Sequence, residues 1–310
     1  MSELVTPPCP LCAGANVSLE RMFQRAALEV EWSRWAGIDI RAEMPGLTEI
    51  PQWRCVSCGL VFFPASAAGS GRLYEALQRF DWYYLAEKWE HDEALRDIPE
   101  AVSLCECGCG RGDFLARVTA ERRAAALGLE FNESAAHAAG LRSLNVRVQS
   151  LESLAAEQPG AYDVVCSFQV LEHVPNPREH LQAAHQLLRP GGRLLVGLPN
   201  NESFLGKEDN PLLDRPPHHI SRWTPAVLHA ALPALGFRVV RIATEPLLAF
   251  HTRSFVTAEL RDRVARHLPR ALARLVMNWR VLDSLTWLLL RTGAHRLFRG
   301  QTMYMLATRA

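Results

Sequence analysis

Glu106 stands two residues ahead of Gly108, Gly110 and Gly112, three glycines at alternate positions, and the apolar run from Val102 leads into it. Glycines lack a Cβ, so this backbone can turn sharply and approach a ligand closely, and a helix beginning near Asp113 would point free N–H groups at that ligand. The chemistry is that of a cofactor cradle. A dinucleotide fingerprint, G-x-G-x-x-G, would need glycine at position 113, where this chain has Asp, so the spacing disfavours a nicotinamide cofactor. Two further groups carry chemistry. Cys9-Pro-Leu-Cys12 and Cys55-Val-Ser-Cys58-Gly59 are paired knuckles that together complete a tetrahedral thiolate shell for zinc. Such a shell is closed, so its zinc is structural. Redox C-x-x-C chemistry would lack its βαβ surroundings at Cys9 and would not explain the second pair. His218 and His219 lie adjacent, and a histidine titrates near neutrality and can accept a proton.

These residues need a frame that brings them together. The run from Ala124 to Leu129 reads as a second strand and ends in Glu130, a carboxylate able to accept two hydroxyl hydrogen bonds worth about 1.5–3 kcal/mol each. Residues 162–173 read as a strand followed by the turn Leu171-Glu172-His173. Residues 187–199 read as a helix end, a Pro-Gly-Gly turn and a strand, with Pro190 stopping the helix. The loop 215–224 carries His218 and His219 into a helix capped by Thr224 with Pro225 at its first position. Phe237 to Thr244 and Gln301 to Thr308 read as the last two strands. About fifty residues separate them, too many for a bare loop. Cys105, Cys107 and Cys109 alternate, so their sulfurs do not converge, and they read as core or loop residues. In the amino-terminal stretch between the cysteine pairs, strand-like residues with Trp32, Trp35 and Trp53 read as an extended hairpin.

The acid-x-G-x-G-x-G segment resembles motif I of the class I S-adenosylmethionine (SAM)-dependent methyltransferases. The strand ending in Glu130, the Asp163 to His173 segment and the Pro-Gly-Gly turn are similar to that family's following elements in order and spacing. The resemblance runs from about Leu73 to Phe237 and includes the last strand. It implies an α/β fold, a doubly wound Rossmann-like sheet with the cofactor across the carboxyl ends of its strands. It also implies roles. Glu106, Gly108, Gly110 and Gly112 would hold the methionine end and the turn, Glu130 the ribose, and Phe168 and Gln169 the adenosine. Many relatives have an acidic residue after the third strand; this chain has Gln149, Ser150 and Leu151 there, leaving the adenine amino group to backbone or Ser150. The zinc ribbon ahead of this core is similar to bacterial small-molecule methyltransferases of natural-product, deoxysugar and cell-surface glycan pathways. In those, a Tyr-rich segment like Tyr83 to His91 is read as a helix entering the core, with Tyr83, Tyr84 and Lys88 closing over the methionine end. Sugar methyltransferases of this type carry a His five residues before the Ser or Thr that starts the later helix. His219 reproduces that interval and, with His218 and Tyr83, forms the catalytic set, whereas Glu172 and His173 are read as cofactor-side or structural.

Composition sets bounds on the rest. With 48% hydrophobic and 22% charged residues in a 310-residue chain, disorder is excluded, and the net charge of +1 gives no case for nucleic acid. The sequence opens without a signal-peptide pattern and has no run of eighteen apolar residues, so a cytoplasmic protein is expected. The expected domains are a zinc ribbon over 1–65, a linker and helix over 66–100, a SAM-binding core over 101–250, a helical insert over 251–299 and the last strand over 300–310. From His251 to Gly300 there are ten arginines against Glu259, Asp262 and Asp283, so this insert reads as a lid, a dimer contact or a peripheral face on an anionic membrane. The expected activity is methyl transfer to a small molecule, with a sugar or natural-product/cell-surface glycan intermediate as acceptor. The alternatives are a partner-binding scaffold that keeps the fold without catalysis, and a nicotinamide-dependent oxidoreductase.

Overall fold

A computed structural model describes residues 5–80, 83, 85–208, 211–267 and 277–310, with the side chains of α9 described through Val264. The chain begins with β1 (Val17–Gln24), α1 (Arg25–Ala36), β2 (Glu49–Cys55), β3 (Val61–Phe62) and α2 (Gly71–Leu77). β1 and β2 form the antiparallel pair expected between the cysteine knuckles. The stretch between them is not extended strand. Leu28, Trp32 and Ala36 recur at helical spacing and are buried on one face of α1, which satisfies their apolar surface better than an open hairpin would. Gly37, at φ +60°, ends the helix by donating its N–H to Ser33.

The segment expected as a helix from Tyr83 is also shorter than its reading. α3 spans Trp89–Asp97, and Lys88 caps it in extended conformation. Glu90 and Asp92 lie in its first turn, where negative charge meets the positive helix end, so the helix starts at the acidic residues and leaves Tyr83 and Lys88 ahead of it.

The core then follows as β4 (Ser103–Cys107), α4 (Asp113–Arg122), β5 (Ala125–Leu129), α5 (Glu133–Leu141), β6 (Val146–Arg147), α6 (Leu151–Glu157), β7 (Tyr162–Phe168), α7 (Pro177–Leu187), β8 (Leu188–Pro199), β9 (Ser221–Arg222), α8 (Pro225–Ala231), β10 (Phe237–Pro246), α9 (Thr252–His267), α10 (Trp279–Thr292) and β11 (Arg299–Arg309). Seven strands form one sheet in the order β10-β11-β8-β7-β4-β5-β6. Near-continuous apolar runs such as Leu194 to Leu198 are buried on both faces, as a helix-covered parallel sheet requires. β11 alone runs antiparallel, between β8 and β10. From β4 the chain builds outward on one side through β5 and β6 and on the other through β7 and β8, so a crevice opens at the carboxyl ends of β4 and β7.

The second sheet has the order β1-β2-β3-β9. Its last strand comes from the loop after β8, and Ser221 and Arg222 pair with Phe62 and Val61. Ile220, just before it, joins the apolar cluster built by Leu28, Trp32, Leu73 and Leu77. In the insert, α9 covers Phe204 and Leu247 through Ala258 and Phe255, and Arg253 of α9 pairs with Asp283 of α10 at 2.9 Å. The outer face of α10 exposes Trp279, Trp287 and Leu288. No helix among the described residues is long and apolar enough to cross a membrane.

Trp32 has its full side chain in this amino-terminal core. Trp32→Ala is expected to lower unfolding free energy by about 3–5 kcal/mol in urea titrations, the range for truncating a buried aromatic; a loss below about 1 kcal/mol would show that α1 does not brace the fold.

Candidate functional site

Glu106 occupies the middle of the sheet, opposite Gly128 of β5 and Cys166 of β7. It is 3% exposed, and its Oε2 has no hydrogen-bond partner. Burial pushes its carboxyl up to about 8, against the pull of the Lys88 charge, while Glu130 and Asp113 push it further in the same direction. The chain after it turns through Gly108, Gly110 and Gly112, all with positive φ, at +73°, +53° and +80°. A Cβ on Gly108 would overlap Val170, and the positive φ of all three disfavours side chains whatever the space. α4 begins directly behind this turn with no side-chain cap, leaving first-turn N–H groups available to a ligand. Glu130 reaches back to the same turn, its carboxylate accepting the Gly110 N–H at 2.8 Å and the Asn132 N–H at 2.8 Å.

Across the crevice, Phe168 ends β7 with its ring against Phe114 at 4.8 Å and His91 at 5.0 Å. Gln169 follows in left-handed conformation, φ +56°, and its Nε2 donates to Glu90 at 3.0 Å. A non-glycine residue held there stores strain, a device that clusters at ligand sites. Ser150 caps α6, its Oγ accepting the Ser153 N–H at 3.0 Å, and Leu151 is buried in the apolar core with Leu154 and Leu181. The Leu151 side chain therefore faces the core and not the crevice. Lys88 lies close enough for its charge to act on Glu106, Glu172 and His173. Tyr84 lies outside the described residues.

The histidine loop meets the turn after β7. His218 and His219 stack at 4.5 Å between centroids, and the ring of His173 stands edge-on to both, at 4.6 and 4.8 Å. Tyr83 is 6.0 Å from His218 and Tyr74 is 5.5 Å from His173. His219 Nδ1 lies 3.2 Å from Asp214 Oδ1, and Asp214 also receives Asn201 and Arg222 at 2.9 Å each. Burial raises the Asp214 carboxyl to about 6, holds His173 down at about 4 and holds His218 and His219 well below the usual histidine range. Glu172 is 1% exposed with neither carboxylate oxygen partnered, and burial pushes it up to about 8.

Sequence reasoning brought His218, His219 and Tyr83 to one place and missed three members. His173 and Glu172 were expected apart from the reacting groups, yet both join this cluster. Asp214 was not singled out at all. The available signal was topological: the turn after β7 and the loop after β8 leave the carboxyl ends of adjacent parallel strands.

At the amino end, Cys9 Sγ lies 3.6 Å from Cys58 Sγ and Cys12 Sγ 3.5 Å from Cys55 Sγ, with all four within 4.8 Å of one another. A tetrahedral shell with metal–sulfur bonds of about 2.3 Å has edges of about 3.8 Å. The cluster is consistent with a zinc ribbon.

Residues 73–242 match the methyltransferase domain family. The chain belongs to that family, and its sheet is the Rossmann-like one of the class I SAM-dependent methyltransferases. It is 37% identical over 115 residues to the ubiquinone biosynthesis O-methyltransferase of Leptothrix cholodnii, covering 34% of this chain and 48% of the relative. It is 39% identical over 103 residues to the enzyme of the same name from Xanthomonas euvesicatoria, covering 31% and 43%. The chain thus spans about half the length of the curated relatives it matches. Among solved structures, a SAM-dependent methyltransferase of Thermotoga maritima superposes with a TM-score of 0.50 at 17% identity, over 77% of this chain and 97% of that one. A chain from the complex of the Haloferax volcanii Trm112 methyltransferase activator with a methyltransferase gives 0.50 at 15%, over 79% and 96%. Both likenesses are of fold.

Because the folded pKa of Glu106 is raised, the folded chain binds its proton more tightly than the unfolded one, and stability falls as pH rises from the ordinary carboxyl value through about 8. Glu106→Gln removes that term. The ligand-free variant is expected to be more stable than the parent by about 1–3 kcal/mol above pH 8 and nearly equal to it near pH 4.5, in paired thermal or urea titrations; equal stability at both pH values would mean Glu106 is solvated.

Proposed function

We propose that this chain is a SAM-dependent methyltransferase acting on an oxygen of a small-molecule acceptor. The observation that carries the reading is the unpartnered, buried Oε2 of Glu106 at the head of a glycine turn, a carboxyl that burial keeps protonated up to about pH 8. The ammonium of a methionine moiety would satisfy it, and the free N–H groups of α4 would face the carboxylate end. Glu130 would exchange or share its two backbone donors with the ribose hydroxyls. Phe168 and the strained Gln169 would border the adenosine, and Ser150 would reach the adenine with its O–H or its second lone pair while keeping its helix cap. When bound, the sulfonium supplies the methyl group by displacement at carbon.

The protein's task is then alignment and removal of the acceptor's proton. Orientation contributes the larger share, about 7–11 kcal/mol in intramolecular models, and a positioned base adds about 10²–10⁴-fold. The histidine face, with Tyr83 at its edge, is the place for the acceptor. His219, whose Nδ1 faces Asp214, is the ring proposed to take the proton, and burial keeps it neutral and so able to accept one. An oxygen acceptor is favoured by the matched relatives, which are named O-methyltransferases; a hydroxyl of a sugar or natural-product intermediate is the acceptor class proposed. A nicotinamide oxidoreductase and a scaffold without catalysis are disfavoured by the glycine spacing and by the retention of Glu106 and Glu130.

Cys9, Cys12, Cys55 and Cys58 are proposed to hold a structural zinc. Its influence reaches the histidine loop, because β3 follows the second knuckle and pairs with β9, two residues beyond His219.

Isothermal calorimetry with SAM and with its demethylated product tests the first reading: saturable binding is expected, with Glu130→Ala weakened at least tenfold, and no binding by the parent would end it. His219→Ala is expected to keep cofactor affinity within about threefold while turnover of an identified acceptor falls about 10²–10⁴-fold; unchanged turnover removes the ring from the reaction. For the ribbon, Cys9→Ser is expected to lose one bound zinc per chain by elemental analysis and to melt at lower temperature; undiminished zinc would rule out the four-thiolate shell.

A further inference from the structure

We propose that the Nε2 atoms of His173, His218 and His219 bind a divalent first-row transition metal ion of the zinc class, at a second site separate from the four cysteines. The ligand set is argued from side-chain geometry alone and stands whether or not the methyl-transfer reading does. One donor atom from each of the three rings lies within 4.8 Å of the other two. Zinc–nitrogen bonds of about 2.0–2.1 Å would draw each ring inward by less than about 1 Å.

The partner of each Nδ1 sets the tautomer of its ring. His173 Nδ1 lies 2.6 Å from the carbonyl of His218, and His218 Nδ1 lies 2.8 Å from the carbonyl of Leu213. A carbonyl only accepts, so both Nδ1 atoms carry the hydrogen. His219 Nδ1 faces the Asp214 carboxylate in the same sense. Each ring therefore donates from its far nitrogen to an oxygen and presents a lone pair on Nε2, the arrangement in which protein imidazoles bind metals.

A second, independent observation points to a ligand. His218 Nε2 is buried without a partner, and so are both oxygens of Glu172, whose Oε1 lies 3.9 Å from His173 Nε2. A buried imidazole lone pair without a partner is unfavourable, and two more rings stand beside it. A dication would take all three nitrogen lone pairs at once. Imidazole donors suit zinc, iron, cobalt or nickel and are poor for magnesium or calcium. The His219 Nε2 lone pair cannot hold an ion and take a proton at once, so an ion there would displace the base role proposed above and instead polarise an oxygen offered by a small molecule on the histidine face.

The test uses the full-length chain, saturated with Co²⁺ and separately with Zn²⁺ and freed of excess metal. About two equivalents per chain are expected, and the second cobalt should give weak visible bands without thiolate charge transfer. His218→Ala and His219→Asn should each fall to about one equivalent and keep the thiolate spectrum, while Cys9→Ser should lose that spectrum and keep the weak bands. One equivalent in the parent, or a second equivalent retained in both histidine variants, overturns the proposal. If the variants fail to fold, the parent's stoichiometry and spectrum decide the matter by themselves.

Discussion

Desolvation of charge governs this molecule. Glu106, Glu172, Asp214, His173, His218 and His219 all sit at the carboxyl edge of the large sheet with little or no access to water. Stripping water from such groups costs several kcal/mol per ion when nothing replaces it. The apolar runs of β4, β7 and β8 offset that cost and also create it, since their packing is what keeps water out. Asp214 shows the compensated case, with Asn201, Arg222 and His219 around it. Glu106 and Glu172 show the uncompensated one. Burial answers by holding both carboxyls protonated up to about pH 8, one at the glycine turn and one among the histidines.

Much of this was legible in the sequence, for a physical reason. Glu106, the glycines and Glu130 lie within one strand-turn-helix-strand unit, so local spacing alone dictates their meeting; the hydrogen bond from Gly110 to Glu130 closes it. The cysteine pairs were equally readable, because each knuckle is four residues long. Thr224 capping α8 followed from local chemistry too, its Oγ1 accepting the Val227 N–H at 3.2 Å.

What was not legible depends on contacts between distant segments. His173 and His218 are 45 residues apart, and only the parallel pairing of β7 with β8 brings their loops together. Asp214 looks like an ordinary loop acid until the chain folds back and places it behind His219. α1 was misread because its buried face is only three residues, Leu28, Trp32 and Ala36, while Val30 and Trp35 on its other faces are exposed and blur the period. The helix start at Trp89 was set by two acidic residues whose effect is electrostatic, which an apolar pattern does not display.

The pairing of β9 with β3 makes the loop after β8 common property of both sheets. Its two ends are tied to different bodies, β8 in the large sheet and β9 beside the cysteine knuckles. A segment clamped in this way cannot drift with one body while the other stays, so the angle between the ribbon and the methyltransferase sheet is also the setting of the histidine face. The first eighty residues are therefore not an appendage that could be exchanged between relatives at will: a graft would have to bring a new partner strand for Ser221 and Arg222, or it would inherit a crevice with one wall loose.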